Sequence, residues 1–171
     1  MVFELHVIHC FIWVLIAYKF GDWRHYKHYY PTILFFILGN FIHSIVFYNF
    51  SQWFYVSPYM PHNIINLLAA FTIFPSTILL FLPYFPSKPS HQVLYYLKWI
   101  CLYTLVELFF FSIGLVKYSN GWSLGWSALH NSYQFPLLKL HTTKPILTWF
   151  FCALAFGAIL LIFKLPIGTI K

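Results

Sequence analysis

Six apolar runs follow one another along 171 residues, with short turns between them. They cover about residues 2–18, 32–50, 63–82, 93–116, 122–138 and 146–163. A run of roughly 20 apolar residues is what an α-helix needs to cross a bilayer. Charged residues make up only 8% of the chain, against roughly 25% in a soluble domain. So few charges cannot cover a water-facing surface. The runs therefore predict an all-α fold, a polytopic integral membrane helix bundle, with residues 1–171 forming a single transmembrane domain.

The fifth run is the most polar. It holds Trp122, Trp126, His130, Asn131, Gln134 and Pro136. At 17 residues it is at the short limit for spanning. Charge placement arbitrates between six transmembrane helices and five. With six, Lys19, Arg24, Lys27, Lys88, Lys139 and Lys144 share one side, and Lys117, Lys164 and Lys171 share the other. That bias puts the first group in the cytoplasm and both termini outside. If segment 122–138 does not span, the bias collapses.

Formal net charge is +7, but the basic groups sit at the ends of apolar runs rather than on one solvated face. This excludes a nucleic-acid reading and makes membrane lipids the expected partner. Between the first two runs, Lys19, Trp23, Arg24, Lys27, Tyr29 and Tyr30 read as an interface anchor, with rings at the headgroups and cations on anionic phosphates. Asp22 is placed to cap the short piece after it or to pair with Arg24, and Pro31 suits the first turn of the second helix. Glu4, His6 and His9 read as interfacial polar residues, and Pro75 as a kink in the third helix. Cys10, Cys101 and Cys152 all fall inside apolar runs, as buried small side chains without metal-ligand spacing.

Glu107 is the acidic residue inside a run, near the middle of the fourth. A charge at the bilayer centre costs about 2.5–3.5 kcal/mol on insertion scales. It needs a proton, a partner or water. Tyr103 lies one turn back on the same face. His130 and Gln134 share a face of the fifth run, beside Asn131; Asn40 and His43 share one on the second, and Asn63 and Asn66 on the third. Together they predict a polar intramembrane core. Its first reading is helix-to-helix hydrogen bonding in a structural or accessory membrane component. Its alternative is a small transporter or permeation subunit in which Glu107 takes up a proton. No His-Glu-x-x-His, Gly-x-Ser-x-Gly or phosphate-loop pattern marks an enzyme. No cofactor or metal set is expected, while a homo-oligomer or a membrane protein partner is.

The block Phe20-Gly-Asp-Trp-Arg-His-Tyr-Lys-His-Tyr-Tyr-Pro-Thr-Ile-Leu-Phe-Phe-Ile-Leu-Gly39 resembles a family of small uncharacterised multi-pass membrane proteins from Bacillus and related endospore-forming Firmicutes. Phe74-Pro-Ser-Thr, Tyr118-Ser-Asn-Gly-Trp-Ser-Leu-Gly-Trp-Ser and Phe135-Pro-Leu-Leu-Lys-Leu-His141 agree with it, as does the acidic position of Glu107. Members often carry an acidic residue after the glycine of the second run, where this chain has Asn40. The resemblance implies a bacterial plasma membrane location and no established reaction.

Overall fold

A computed structural model describes residues 2–164, with side chains from Leu5 onward. The expectations placed on Glu4 and Lys171 lie outside the described side chains. The described residues form six α-helices: α1 (Val2–Phe20), α2 (Tyr26–Val46), α3 (His62–Phe81), α4 (Pro89–Ser112), α5 (Leu124–His141) and α6 (Pro145–Ile162). A 3-10 turn, Trp23–His25, leads into α2. Two short strands, β1 (Trp53–Tyr55) and β2 (Val116–Tyr118), pair antiparallel with Phe54 opposite Lys117. Four helical stretches are long and apolar enough to cross a membrane: Trp23–Val46, His62–Phe81, Pro89–Ser112 and Pro145–Ile162.

The helices run alternately up and down. One end holds the strand pair, His6 bonded to the Val56 carbonyl at 3.2 Å, and Phe163 packed on Trp122 and Trp126. At the other end the Asp22 N–H donates to the Leu79 carbonyl at 3.2 Å, and the Tyr84 hydroxyl donates to the Phe20 carbonyl at 2.7 Å. The Thr32 hydroxyl meets His141 Nδ1 there at 3.0 Å. Lys98 is exposed on α4, about two and a half turns from this same basic end.

Local chemistry moves several boundaries. Asp22 accepts from the His25 N–H at 3.4 Å and from the Tyr29 hydroxyl at 3.0 Å, so α2 starts at Tyr26. Pro31 therefore sits inside α2, not in its first turn. Asp22 pairs with His25, at 2.8 Å, and not with Arg24. Its hydrogen bond from His25 holds the carboxyl below the usual carboxylate range. α4 opens on Pro89, whose missing N–H costs nothing there. It stops before Gly114, which takes φ +77°, a conformation that suits glycine. Asn120 and Gly121 both have positive φ, and the Trp122 N–H closes the turn on the Ser119 carbonyl at 3.0 Å. Asn-Gly is the pair that tolerates such a turn. α3 runs unbroken through Pro75. Thr77 donates to the Ile73 carbonyl at 2.8 Å, leaving the Phe71 carbonyl as the one that Pro75 deprives of a donor.

The core is aromatic. Phe81 and Phe135, both fully buried, meet at 5.3 Å, and Trp99, Tyr95 and Tyr103 close around them. α5 contributes the stripe Ser127, Asn131, Phe135, Leu138 and His141. That three-and-four spacing is one helix face, laid against α4. The polarity of α5 is thus turned into the bundle. Cys10 is buried as expected, but Cys101 is exposed on α4, where a small apolar thiol can face lipid.

Candidate functional site

The polar groups gather near the strand end of the bundle. Glu107 lies five residues before the end of α4, about 7.5 Å along the axis from it. The sequence places it at the middle of the fourth run; the helix ends earlier because Gly114 turns the chain. Its Oε1 accepts from the Tyr118 hydroxyl at 2.7 Å and from the Ser127 hydroxyl at 2.5 Å. Ser127 in turn accepts from Trp122 Nε1 at 2.8 Å. None of the neighbours expected from the sequence bonds to Glu107. Tyr103 bonds to Thr77 instead. Asn131 donates to Thr104 at 3.3 Å, His43 meets Gln52 Oε1 at 3.1 Å, and Asn40 donates to Asn66 at 3.3 Å. Asn66 passes the chain on to Ser44 at 2.9 Å. Asn63 is exposed in the first turn of α3 and belongs to no polar core.

Most of these residues nevertheless share one space. A cavity of about 460 Å³ lies between α2, α5 and α6, with α3, α4 and β1 contributing to its wall. Asn40, His43, Asn66, Glu107, His130, Asn131 and Gln134 all line it. Most of the remaining lining is apolar or aromatic, with Phe35, Phe36, Trp149 and Phe156 on the α2 and α6 sides. The volume falls in the range of small-molecule sites. Among the described residues neither His130 nor Gln134 makes a hydrogen bond; His130 meets the Tyr133 ring at 5.0 Å and lies within electrostatic reach of His43. Among the described residues the second oxygen of Glu107 is also unbonded, and no Lys or Arg forms an ion pair with the carboxylate. Helix carbonyls and hydroxyls satisfy most polar groups here, but these three keep capacity for a guest.

A smaller cavity of about 130 Å³ lies on the other side of Glu107. His6, His9, Cys10, Trp13 and Tyr103 line it, and Glu107, Trp53, Tyr55 and Phe74 line both spaces. His6 is buried and stacks on Phe110 at 5.4 Å, so it is not the interfacial residue expected. His9 accepts from Trp13 Nε1 at 2.8 Å. Among the described residues, no group of three His, Cys, Asp or Glu side chains could hold a metal ion.

At the opposite end Lys19, Trp23, Arg24, Lys27 and Tyr30, the residues read as an interface anchor, are exposed. Trp23 Nε1 is held on the Ala17 carbonyl at 2.7 Å. Tyr29 departs from that role: it is buried and its hydroxyl serves Asp22.

Sequence reasoning missed Tyr118, Ser127, Gln52 and the strand pair. Three-residue strands are too short for an alternating pattern to register, although Lys117 does point outward between inward Val116 and Tyr118. Burial, with Glu107 as the next cause, pushes the Tyr118 hydroxyl up, which keeps it a donor. Burial and then Glu107 do the same to Tyr55.

Comparison with protein-family models, with curated proteins and with solved structures finds no match for this chain.

Proposed function

We propose that this chain is a six-span plasma-membrane protein that binds a small solute inside its bundle, as a compact transporter or permeation subunit, with Glu107 contacting the solute or its coupled proton. The observation that carries the reading is the cavity of about 460 Å³ reaching Glu107. A purely structural carboxylate would be sealed among its bonding partners. This one has two hydroxyls on one oxygen, no bond to the other among the described residues, and a place in the cavity lining. Membership of the family that the Gly21-Asp-Trp23 block resembles belongs to the same proposal, and so do a cytoplasmic basic end and external termini.

The second reading, a structural or accessory component, draws on the same bonds. Glu107 ties α4 to β2 and to α5. Replacing Glu107 with Gln separates the two, because the amide keeps an acceptor for Tyr118 and Ser127 while losing the titratable group. Purified protein in liposomes with an entrapped pH dye should show protein-dependent proton movement under an imposed gradient, and Glu107→Gln should abolish it with folding intact. Loss of folding in the variant, with no movement in the native protein, would leave the packing role standing.

A further inference from the structure

We propose that the large cavity is a site for lipophilic organic cations, entered sideways from the bilayer between α2 and α6; this rests on the solute-binding reading above.

The entrance follows from which lining residues are exposed. Gly39 and Ile42 on α2, and Trp149 and Ala153 on α6, line the cavity and are also exposed. A space whose wall residues reach the outer surface there has its mouth there. Ring pairs bridge the two helices on either side of that mouth: Phe35 with Trp149 at 4.8 Å, and Phe47 with Phe156 at 5.7 Å. Gly39 and Ala153 keep the gap free of bulk. A Cβ built at Gly39 would meet no atom within 4 Å. Both helices are apolar candidate spans, so this mouth faces lipid tails rather than water.

The charge of the guest follows from the inner wall. Glu107 presents a carboxylate with no Lys or Arg counter-ion among the described residues. Aromatic side chains line the same cavity as Glu107. Trp53 and Trp122 lie 5.3 Å apart at 38°, and Tyr55 lines the same wall. Trp122 is one hydroxyl away from the carboxylate through Ser127. Indole and phenol rings attract cations through their negative faces, most strongly where water is excluded. A carboxylate beside such rings favours a positive centre and disfavours a negative one. His130 and Gln134 add hydrogen-bond capacity for a protonated amine. The remaining apolar lining accepts a hydrophobic body. An anionic lipid or fatty acid would meet Glu107 as a like charge.

Tetraphenylphosphonium and tetraphenylborate, alike in shape and opposite in sign, test the inference. Equilibrium dialysis uses purified full-length protein in neutral detergent, with empty micelles as the blank. The phosphonium should bind saturably, and the borate should not compete. Glu107→Gln should weaken phosphonium binding by about tenfold or more, the loss of a charge-assisted contact. Gly39→Phe should fill the mouth and block binding, and the open space at Gly39 lets that variant keep its fold. Equal binding of both ions that Gly39→Phe blocks and Glu107→Gln leaves unchanged would overturn the cation assignment while preserving a ligand cavity. Binding of neither ion, or binding indifferent to Gly39→Phe, would overturn the cation site and remove the support for solute binding as well.

Discussion

Removing Ser127 should harm this protein more than removing the Tyr118 hydroxyl, although both make one bond to the same carboxylate oxygen. Tyr118→Phe deletes one donor and leaves no orphan, because Glu107 keeps Ser127. Hydrogen bonds to charged groups are worth about 1.5–3 kcal/mol in soluble proteins. In membrane bundles measured couplings average about 0.6 kcal/mol, with a ceiling near 1.7. Glu107 is close to the helix end and the bond is 2.7 Å long, so the upper membrane value, about 1.5 kcal/mol, is the expectation. Ser127→Ala deletes a similar bond and also strands Trp122 Nε1, which is buried and has Ser127 as its acceptor. An orphaned buried donor adds about 1–3 kcal/mol, giving about 2.5–4.5 kcal/mol in all.

The measurement is reversible unfolding in mixed micelles, run as a double-mutant cycle with Glu107→Gln. Coupling between residues 107 and 127 should reach about 1 kcal/mol or more, because the acceptor loses its charge in one arm of the cycle. A Ser127→Ala cost no larger than that of Tyr118→Phe would refute the relay from Trp122. Coupling below about 0.5 kcal/mol for both pairs would refute the idea that Glu107 organises this end of the bundle.

Gly21→Ala should destabilise by about 1–3 kcal/mol in the same assay, because its Cβ would run into the Ala17 carbonyl where α1 hands over to the Asp22–Leu79 contact. An unchanged unfolding free energy would show that this crossing is loose. For topology, a reporter at Asn120 should be external and one at Thr142 cytoplasmic, since the two turns lie at opposite ends of α5. Both on one side would rule out the six-span arrangement. The depressed Asp22 carboxyl contributes stability that is complete above the unfolded value of about 3.9 and is lost as pH falls through its lower folded value. Asp22→Asn should therefore flatten the acid limb of a pH-stability curve below about pH 4 and leave the limb above pH 5 unchanged. A variant curve that runs parallel to the native one through the acid range counts against the His25–Asp22 bond.

What the sequence reveals here divides along a physical line. Apolar runs report solvation, and solvation is additive over residues, so the helices emerged within a few positions of their runs. Where a helix stops is decided by single backbone conformations. Gly114 adopting positive φ moves the end of α4 four residues inward, and the Asp22 cap moves the start of α2 six residues earlier than the run implies. Those two shifts change the meaning of the charged residues beside them. They carry Glu107 from mid-bilayer depth to the last turns of its helix.

The site itself was half legible for a related reason. Face-sharing at three and four residues correctly collected Asn40, His43, Asn66, His130, Asn131 and Gln134 as polar side chains facing inward. Which of them touch depends on helix register and on loop segments with no periodicity. Gln52 and Tyr118 come from such segments; Gln52 meets His43, and Tyr118 shares Glu107 with Ser127 of α5. These pairings leave His130 and Gln134 unbonded at the cavity wall. Because β2 and the first turn of α5 satisfy Glu107 from the side, the carboxylate is held without being covered. A carboxylate anchored through one oxygen, with the other unbonded among the described residues, is what the proposed solute binding requires.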